Sequence, residues 1–269
     1  MKCPVCGAGM YCEDGKSVFC KGARRHCFDI SSKGYINLAV GHSGGGDPKE
    51  AVRSRTSFLH KGYYLPFAEA VCRILSEQMS DAAGIVIDAG CGEGYYTEMV
   101  ADRCGCSVFG FDLSKAAVES GASRALRNDR NDLFYAVAGI YSLPVADESA
   151  DAVINLFAPC AEAEFSRALK TDGVLLVASA GENHLYGLKK RVYDEPYKNE
   201  KRNDMPVNMK RVYHETVRFD ITLDSDEDKL ALFSMTPYYY RTSKENAERL
   251  LGDALVTEAE FDIDVFKKQ

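Results

Sequence analysis

Residues 85–96, I-V-I-D-A-G-C-G-E-G-Y-Y, constrain the chain more than any other stretch. A short apolar run ends in Asp88, a glycine-rich turn follows, and helix-favouring residues come next. This is the pattern of a buried parallel strand that delivers its C-terminal end to a ligand. Gly90, Gly92 and Gly94, at alternate positions, let the backbone approach a bound molecule where a Cβ would clash. The spacing G-x-G-x-G, preceded by an acid, differs from the G-x-G-x-x-G of dinucleotide sites. A second apolar strand, from Ser107, ends in Asp112 about twenty residues beyond the glycines, where a carboxylate takes ribose hydroxyls.

Such a strand–turn–helix belongs to a large α/β domain, and 269 residues leave room for that domain and a small module. No apolar run approaches the roughly 20 residues of a membrane span, and the first residues lack the apolar core of a signal peptide. Five of the ten cysteines fall in the first 27 residues and the rest are scattered through apolar segments. That distribution predicts a reducing, cytoplasmic setting in which the first cluster holds metal.

Cys3-Pro4-Val5-Cys6-Gly7 is a C-x-x-C turn, and Cys20 and His26-Cys27 follow. Two cysteines on one turn and a Cys/His pair on a second make a tetrahedral site, the geometry of structural zinc. The fourth ligand is His26 or the adjacent Cys27, with His26 favoured, and Cys12 is expected as a small packed residue. A module of under 40 residues cannot build an adequate core alone, so metal would supply folding free energy. The alternation around Tyr35-Ile36-Asn37 predicts a strand closing this ribbon. Arg24, Arg25 and Lys33, with Phe28 and Tyr35, are candidates for a basic stacking surface.

The boundaries follow: a zinc ribbon over residues 1–38, a linker with leading helices over 39–83, and the α/β domain over 84–269. The glycine-rich residues 40–48 lack the G-K-[ST] ending of a P-loop and read as a mobile linker. Helical periodicity begins near Lys49, breaks at residues 62–66, and resumes over 67–79. Strands and helices then alternate as in a doubly wound sheet. Period-two stretches at 217–223 and 259–266 predict a terminal antiparallel pair. Ligands of such sheets bind above the strand ends, which gathers Asp88, Asp112, Gly139 and Asn155 around one crevice. The net charge of −7 hides a basic segment over 189–212 (Lys189, Lys190, Arg191, Lys198, Lys201, Arg202, Lys210, Arg211), a candidate RNA contact.

The acid followed by G-x-G-x-G resembles motif I of the class I S-adenosyl-L-methionine (AdoMet) methyltransferases. More specifically, C-P-x-C, R-H-C-F-D, K-x-G-Y-I-N-L, D-A-G-C-G-E-G-Y-Y-T, F-A-P-C, H-L-x-x-L-K and M-T-P stand in this order along nearly the whole chain. The chain is thereby similar to the bacterial 23S rRNA (guanine-N1)-methyltransferase family. The resemblance implies a zinc ribbon followed by a Rossmann-like α/β domain, pairing as a homodimer. Its substrate would be 23S rRNA, methylated at one of two neighbouring guanines in a hairpin loop. Carried over residue by residue, zinc falls on Cys3, Cys6, Cys20 and His26, and cofactor contacts fall on Tyr64, Gly92, Glu93 and His184. The stretch from Cys20 to His26 is longer than usual in the family, and Gly139 replaces a polar residue, so backbone amides are expected to hold the adenine.

The chemistry asks the protein to align guanine N1, the methyl carbon and sulfur. The N1 proton must also be accepted. No proton acceptor is identifiable from the sequence. Asn155, Glu182 and His184 lie on segments that reach strand ends and read as positioning residues. Phe157 and Tyr141 are candidate stacking partners for an unstacked guanine. A small-molecule methyltransferase would share the α/β domain but has no need of the ribbon. A non-catalytic RNA-binding protein could dispense with the intact Asp88, Gly90, Gly92 and Asp112 set.

Overall fold

A computed structural model describes residues 1–41, 46–80, 83–200, 202 and 205–268. Parts of the glycine-rich linker (42–45) and Lys201 therefore lie outside the described residues.

The N-terminal module is a three-stranded antiparallel sheet of β1 (Met10–Cys12), β2 (Ser17–Cys20) and β3 (Cys27–Asp29). Next in sequence is β4 (Tyr35–Asn37), which does not close this ribbon. It pairs in parallel with β7 (Leu133–Val137) at the edge of the large sheet, Tyr35 opposite Tyr135. The alternation detects a strand but not its partner, and the side chains decide. Tyr35 is buried in the main core, where an exposed ribbon edge could not have covered it. The ribbon is tied down elsewhere too. The Lys2 amide donates to the Pro144 carbonyl at 2.8 Å and its ammonium pairs with Asp147.

Helices α1 (Lys49–His60) and α2 (Leu65–Gln78) follow. The α2 stripe of Phe67, Val71, Ile74 and Leu75 is wholly buried, as helical periodicity requires. The α/β domain then alternates through β5 (Ile85–Ala89), α3 (Tyr95–Cys104), β6 (Ser107–Asp112), α4 (Lys115–Arg127) and β7. It continues with β8 (Ala150–Leu156), α5 (Glu162–Ala168), β9 (Leu169–Ala180) and α6 (Tyr186–Val192). The chain ends with β10 (Met209–Leu223), α7 (Asp226–Ser234), a 3-10 turn (Tyr239–Arg241), α8 (Lys244–Glu248) and β11 (Leu255–Lys268).

The sheet order is β10-β11-β9-β8-β5-β6-β7-β4. β11 lies antiparallel between β9 and β10, the predicted terminal pair, although both strands run longer than their alternating cores. Helices cover both faces, and two hydrophobic clusters lie on either side of the sheet. The strand order reverses beside β5, so a crevice opens beyond the ends of β5 and β6, where Asp88 and Asp112 sit. No described helix is long and apolar enough to cross a membrane.

Candidate active site

A cavity of about 870 Å³ occupies that crevice, near the upper end of small-molecule sites. One end is formed by Asp88, the glycine loop through Glu93, Asp112 and Ser114, with Gly46, Asp47 and Arg55 over them. The other is aromatic: Tyr64, Phe157, His184, Phe261 and the M-T-P segment through Tyr240.

The glycine loop has the conformation its composition requires. Gly90 has φ +93°, and a Cβ there would lie 2.7 Å from that of Ala158. The Asp112 carboxylate is held at the floor by two backbone amides, those of Gly92 at 3.0 Å and Ser114 at 2.7 Å. Ser114 in turn caps α4, its hydroxyl accepting from the Ala117 amide at 3.3 Å. Both acids are expensive to ionise here. Burial pushes the Asp88 carboxyl up to about 7, opposed by a 2.7 Å hydrogen bond from Thr97 and helped by the nearby Asp112. Burial also raises Asp112, against the lowering effect of its two amides.

Glu93 behaves differently. Burial would raise it, yet His60 and Arg124, at 3.8 and 3.0 Å, hold it below the ordinary carboxylate value. His184 accepts the Glu260 amide on Nδ1 at 3.2 Å, which leaves the ring proton on Nε2. Burial, reinforced by the charge of Lys189, lowers His184 to about 3, so the ring is neutral at physiological pH. Phe157 closes β8 with φ +60°, a left-handed conformation unfavourable for a bulky residue. The residue remains 45% exposed, its ring 5.3 Å from that of Phe67 and 5.4 Å from that of Phe261.

Of the residues singled out by sequence, the cavity gathers Tyr64, Asp88, Gly90, Gly92, Glu93, Asp112, His184 and Phe157. Gly94 is not on its wall. It caps α3 at φ +88°, where a Cβ would meet the Tyr135 hydroxyl at 2.5 Å, so packing explains this glycine. Asn155 sits behind the wall, donating to the Ala89 and Pro159 carbonyls and so pinning the Phe157 loop. Gly139, Tyr141 and Glu182 are off the wall, with Glu182 paired to Lys198.

The cavity also holds Arg55, which no sequence motif marks, and Arg202, expected only as part of a basic RNA-contacting segment. Arg55 pairs with Asp47 above Gly92, and Arg202 donates to the Ala158 carbonyl at 2.8 Å. Helical spacing on α1 could have flagged Arg55; Arg202 lies in no helix or strand, so periodicity gives no signal for it.

The basic segment also disperses. Lys189 is buried, donating to Tyr197 and Asn199, while Lys198 and Arg211 pair with Glu182 and Asp264.

In the ribbon, Cys3, Cys6, Cys20 and His26 place one ligand atom each within 4.8 Å of one another. The Cys6–Cys20 sulfur separation is 3.8 Å, and His26 Nδ1 lies 3.5 and 3.3 Å from Cys3 and Cys20. A tetrahedron with metal–sulfur bonds of ~2.3 Å and metal–nitrogen bonds of ~2.0 Å has edges of about 3.8 and 3.5 Å. Desolvation works against ionising Cys20, yet the Gly22 and His26 amides and the His26 ring bring its thiol down to about 6. Cys27 is exposed outside this cluster, and so is Cys12, which is not the packed residue expected. The proposed stacking surface is not assembled either. Tyr35 is buried, Phe28 packs on the core, and Arg25 pairs with Glu13 while lying 4.1 Å over the Phe19 ring.

This sheet order, with acid-ended β5 and β6 flanking a glycine loop under one cavity, defines a class I AdoMet-dependent methyltransferase. The carboxylates of Asp47, Asp88 and Asp112 suit a ligand carrying sulfonium and ammonium charges. Residues 86–173 match the family described as methyltransferase domain. A Micromonospora griseorubida protein, provisionally named 23S rRNA (guanine-N(1)-)-methyltransferase, is 32% identical over 211 residues, 71% of this chain and 69% of its own. A provisionally so-named protein of Bacillus subtilis is 28% identical over 98% of this chain and 95% of its own. The 23S rRNA (guanine(748)-N(1))-methyltransferase of Streptomyces fradiae is 29% identical over 69% of this chain and 65% of its own. The chain belongs to the 23S rRNA (guanine-N1)-methyltransferase family.

Proposed function

We propose that this enzyme methylates N1 of a guanine in a hairpin loop of 23S rRNA, using AdoMet, and that it works in the cytoplasm as a homodimer. The observation that carries this reading is one chain holding both a four-ligand ribbon and a motif I cavity, in a family whose relatives are named for that activity. Zinc, held by Cys3, Cys6, Cys20 and His26, would keep the ribbon folded for RNA recognition. Asp112 would bind the ribose hydroxyls. Gly90, Gly92 and Glu93, with Asp88, Tyr64 and His184, would enclose the rest of the cofactor. Gly94 would support them from behind.

AdoMet when bound supplies the electrophilic methyl, and the protein's work is alignment and exclusion of water. Phe157, held at the cavity by its strained backbone, would stack on the unstacked guanine. His184, whose Nδ1 is engaged by the Glu260 amide, would offer its Nε2 proton as a donor and would not take the N1 proton. Asn155 acts by holding the Phe157 loop.

The test is incubation with isotopically labelled AdoMet and unmodified 23S rRNA, followed by mapping of the labelled base. Label at guanine N1 in a hairpin loop is the expected result. Label transferred to no RNA, or to another atom, overturns the assignment.

A further inference from the structure

The ribbon's aromatics are consumed by packing, but a second set of rings lies open at the catalytic cavity itself. Tyr240 lines the cavity mouth and is 71% exposed, an unusual state for a large ring held by a 3-10 turn. It is not loose. Tyr239 packs edge-on against it at 5.1 Å, and Tyr239 in turn meets buried Phe233 at 5.3 Å, so the pair is anchored to α7. Pro237 precedes the turn, and the Arg241 amide closes it on the Tyr238 carbonyl at 3.0 Å.

Charge complements the rings. Arg241 and Lys244 are exposed, and neither makes an ion pair among the described residues. Most other surface arginines pair with a carboxylate, as Arg249 does with Asp194. An exposed, anchored ring followed within four residues by two exposed cations suits a base with its phosphate. Aromatic side chains stack on any base, and cations track the backbone between them.

We infer that Tyr240, backed by Tyr239 and followed in sequence by the exposed Arg241 and Lys244, is a stacking platform for an unpaired nucleobase of the RNA substrate. The base is one that neighbours the guanine entering the cavity. This inference rests on the RNA-methylating reading above and extends it from the cavity to its rim. Taking one base out of a loop stack leaves its neighbour's face uncovered. A ring at the mouth restores that contact.

The experiment compares wild type with Tyr240→Ala, Tyr240→Phe and Arg241→Ala. Affinity is measured by fluorescence anisotropy for a synthetic hairpin RNA with the 23S loop sequence, and for AdoMet by calorimetry. A second RNA carries 2-aminopurine beside the target guanine, so that stacking quenches its emission.

Tyr240→Ala should weaken RNA affinity by about 5- to 150-fold and abolish the quenching. Tyr240→Phe, which keeps the ring, should retain both. Arg241→Ala should lower the salt dependence of RNA binding by about 0.7 in log–log slope. AdoMet affinity should stay unchanged in all three.

Wild-type RNA affinity and quenching in Tyr240→Ala would overturn the platform while leaving the methylation reading intact. Loss of AdoMet affinity in parallel would also overturn it, because the ring would then cover the cofactor. A wild-type protein that binds AdoMet but not the hairpin overturns both readings.

Discussion

Replacing Asp88 by Asn should make the ligand-free protein more stable and a poorer binder of AdoMet. Asp88 is 1% exposed, and burial lifts its carboxyl from the ordinary 3.8 to about 7. The hydrogen bond it accepts from Thr97 is one that an Asn carbonyl oxygen can also accept. Because the folded-state value is raised, the folded chain holds this proton after the unfolded chain has released it. Stability relative to the Asn variant is therefore lost as pH rises from about 4 to about 7, and the loss levels off above that. At ~1.36 kcal/mol per pH unit, the full difference is about 4 kcal/mol, an upper figure because water in the cavity relaxes the burial. Urea denaturation without ligand should show Asp88→Asn more stable by about 2 to 4 kcal/mol at pH 8. At pH 4 the advantage should be less than about 0.5 kcal/mol. The same variant should bind AdoMet at least about tenfold more weakly, the effect of losing one charge-assisted hydrogen bond. A difference independent of pH, or a wild type more stable at pH 8, would refute the argument that Asp88 is ionised there at a cost. Such a cost is the usual mark of a residue kept for binding rather than stability.

Asp112→Ala should weaken AdoMet binding by roughly 1.5–3 kcal/mol for each ribose hydrogen bond lost, read by calorimetry; unchanged affinity would remove Asp112 from the ribose site. Metal analysis should find about one zinc per chain, lost in Cys3→Ser and His26→Ala but retained in Cys27→Ala, whose thiol stands outside the cluster. Arg24→Ala should lower rRNA affinity and flatten its log–log salt dependence by about 0.7 without touching AdoMet binding. Arg25→Ala should instead lower the ribbon's thermal stability, since that guanidinium is engaged with Glu13 and the Phe19 ring. Identical effects of the two substitutions on the salt slope would contradict this division.

Local pattern was enough for the motif I strand, the acid ending β6, the order of strands and helices, and the C-x-x-C turn. Each is written in residues adjacent in sequence: an apolar run buried on both faces, a glycine where φ is positive, two sulfurs on one turn. Asp88 and Asp112 could be placed together because parallel strands deliver their ends to one side of the sheet. What the sequence left open are the relations between distant segments. Tyr35–Asn37 reads as a strand, but only the burial of Tyr35 beside β7 decides which sheet receives it. The basic residues of 189–212 form a cluster in sequence, yet the fold buries Lys189 and pairs Lys198 and Arg211 across the chain. Gly94 has the spacing of a ligand-facing glycine, while the ring that requires it, Tyr135, comes from a strand forty residues on. Periodicity reports which face of an element is buried. Which atoms meet there is set by the packing of elements remote in sequence, and that packing brought Arg55, Arg202 and Tyr240 to the cavity.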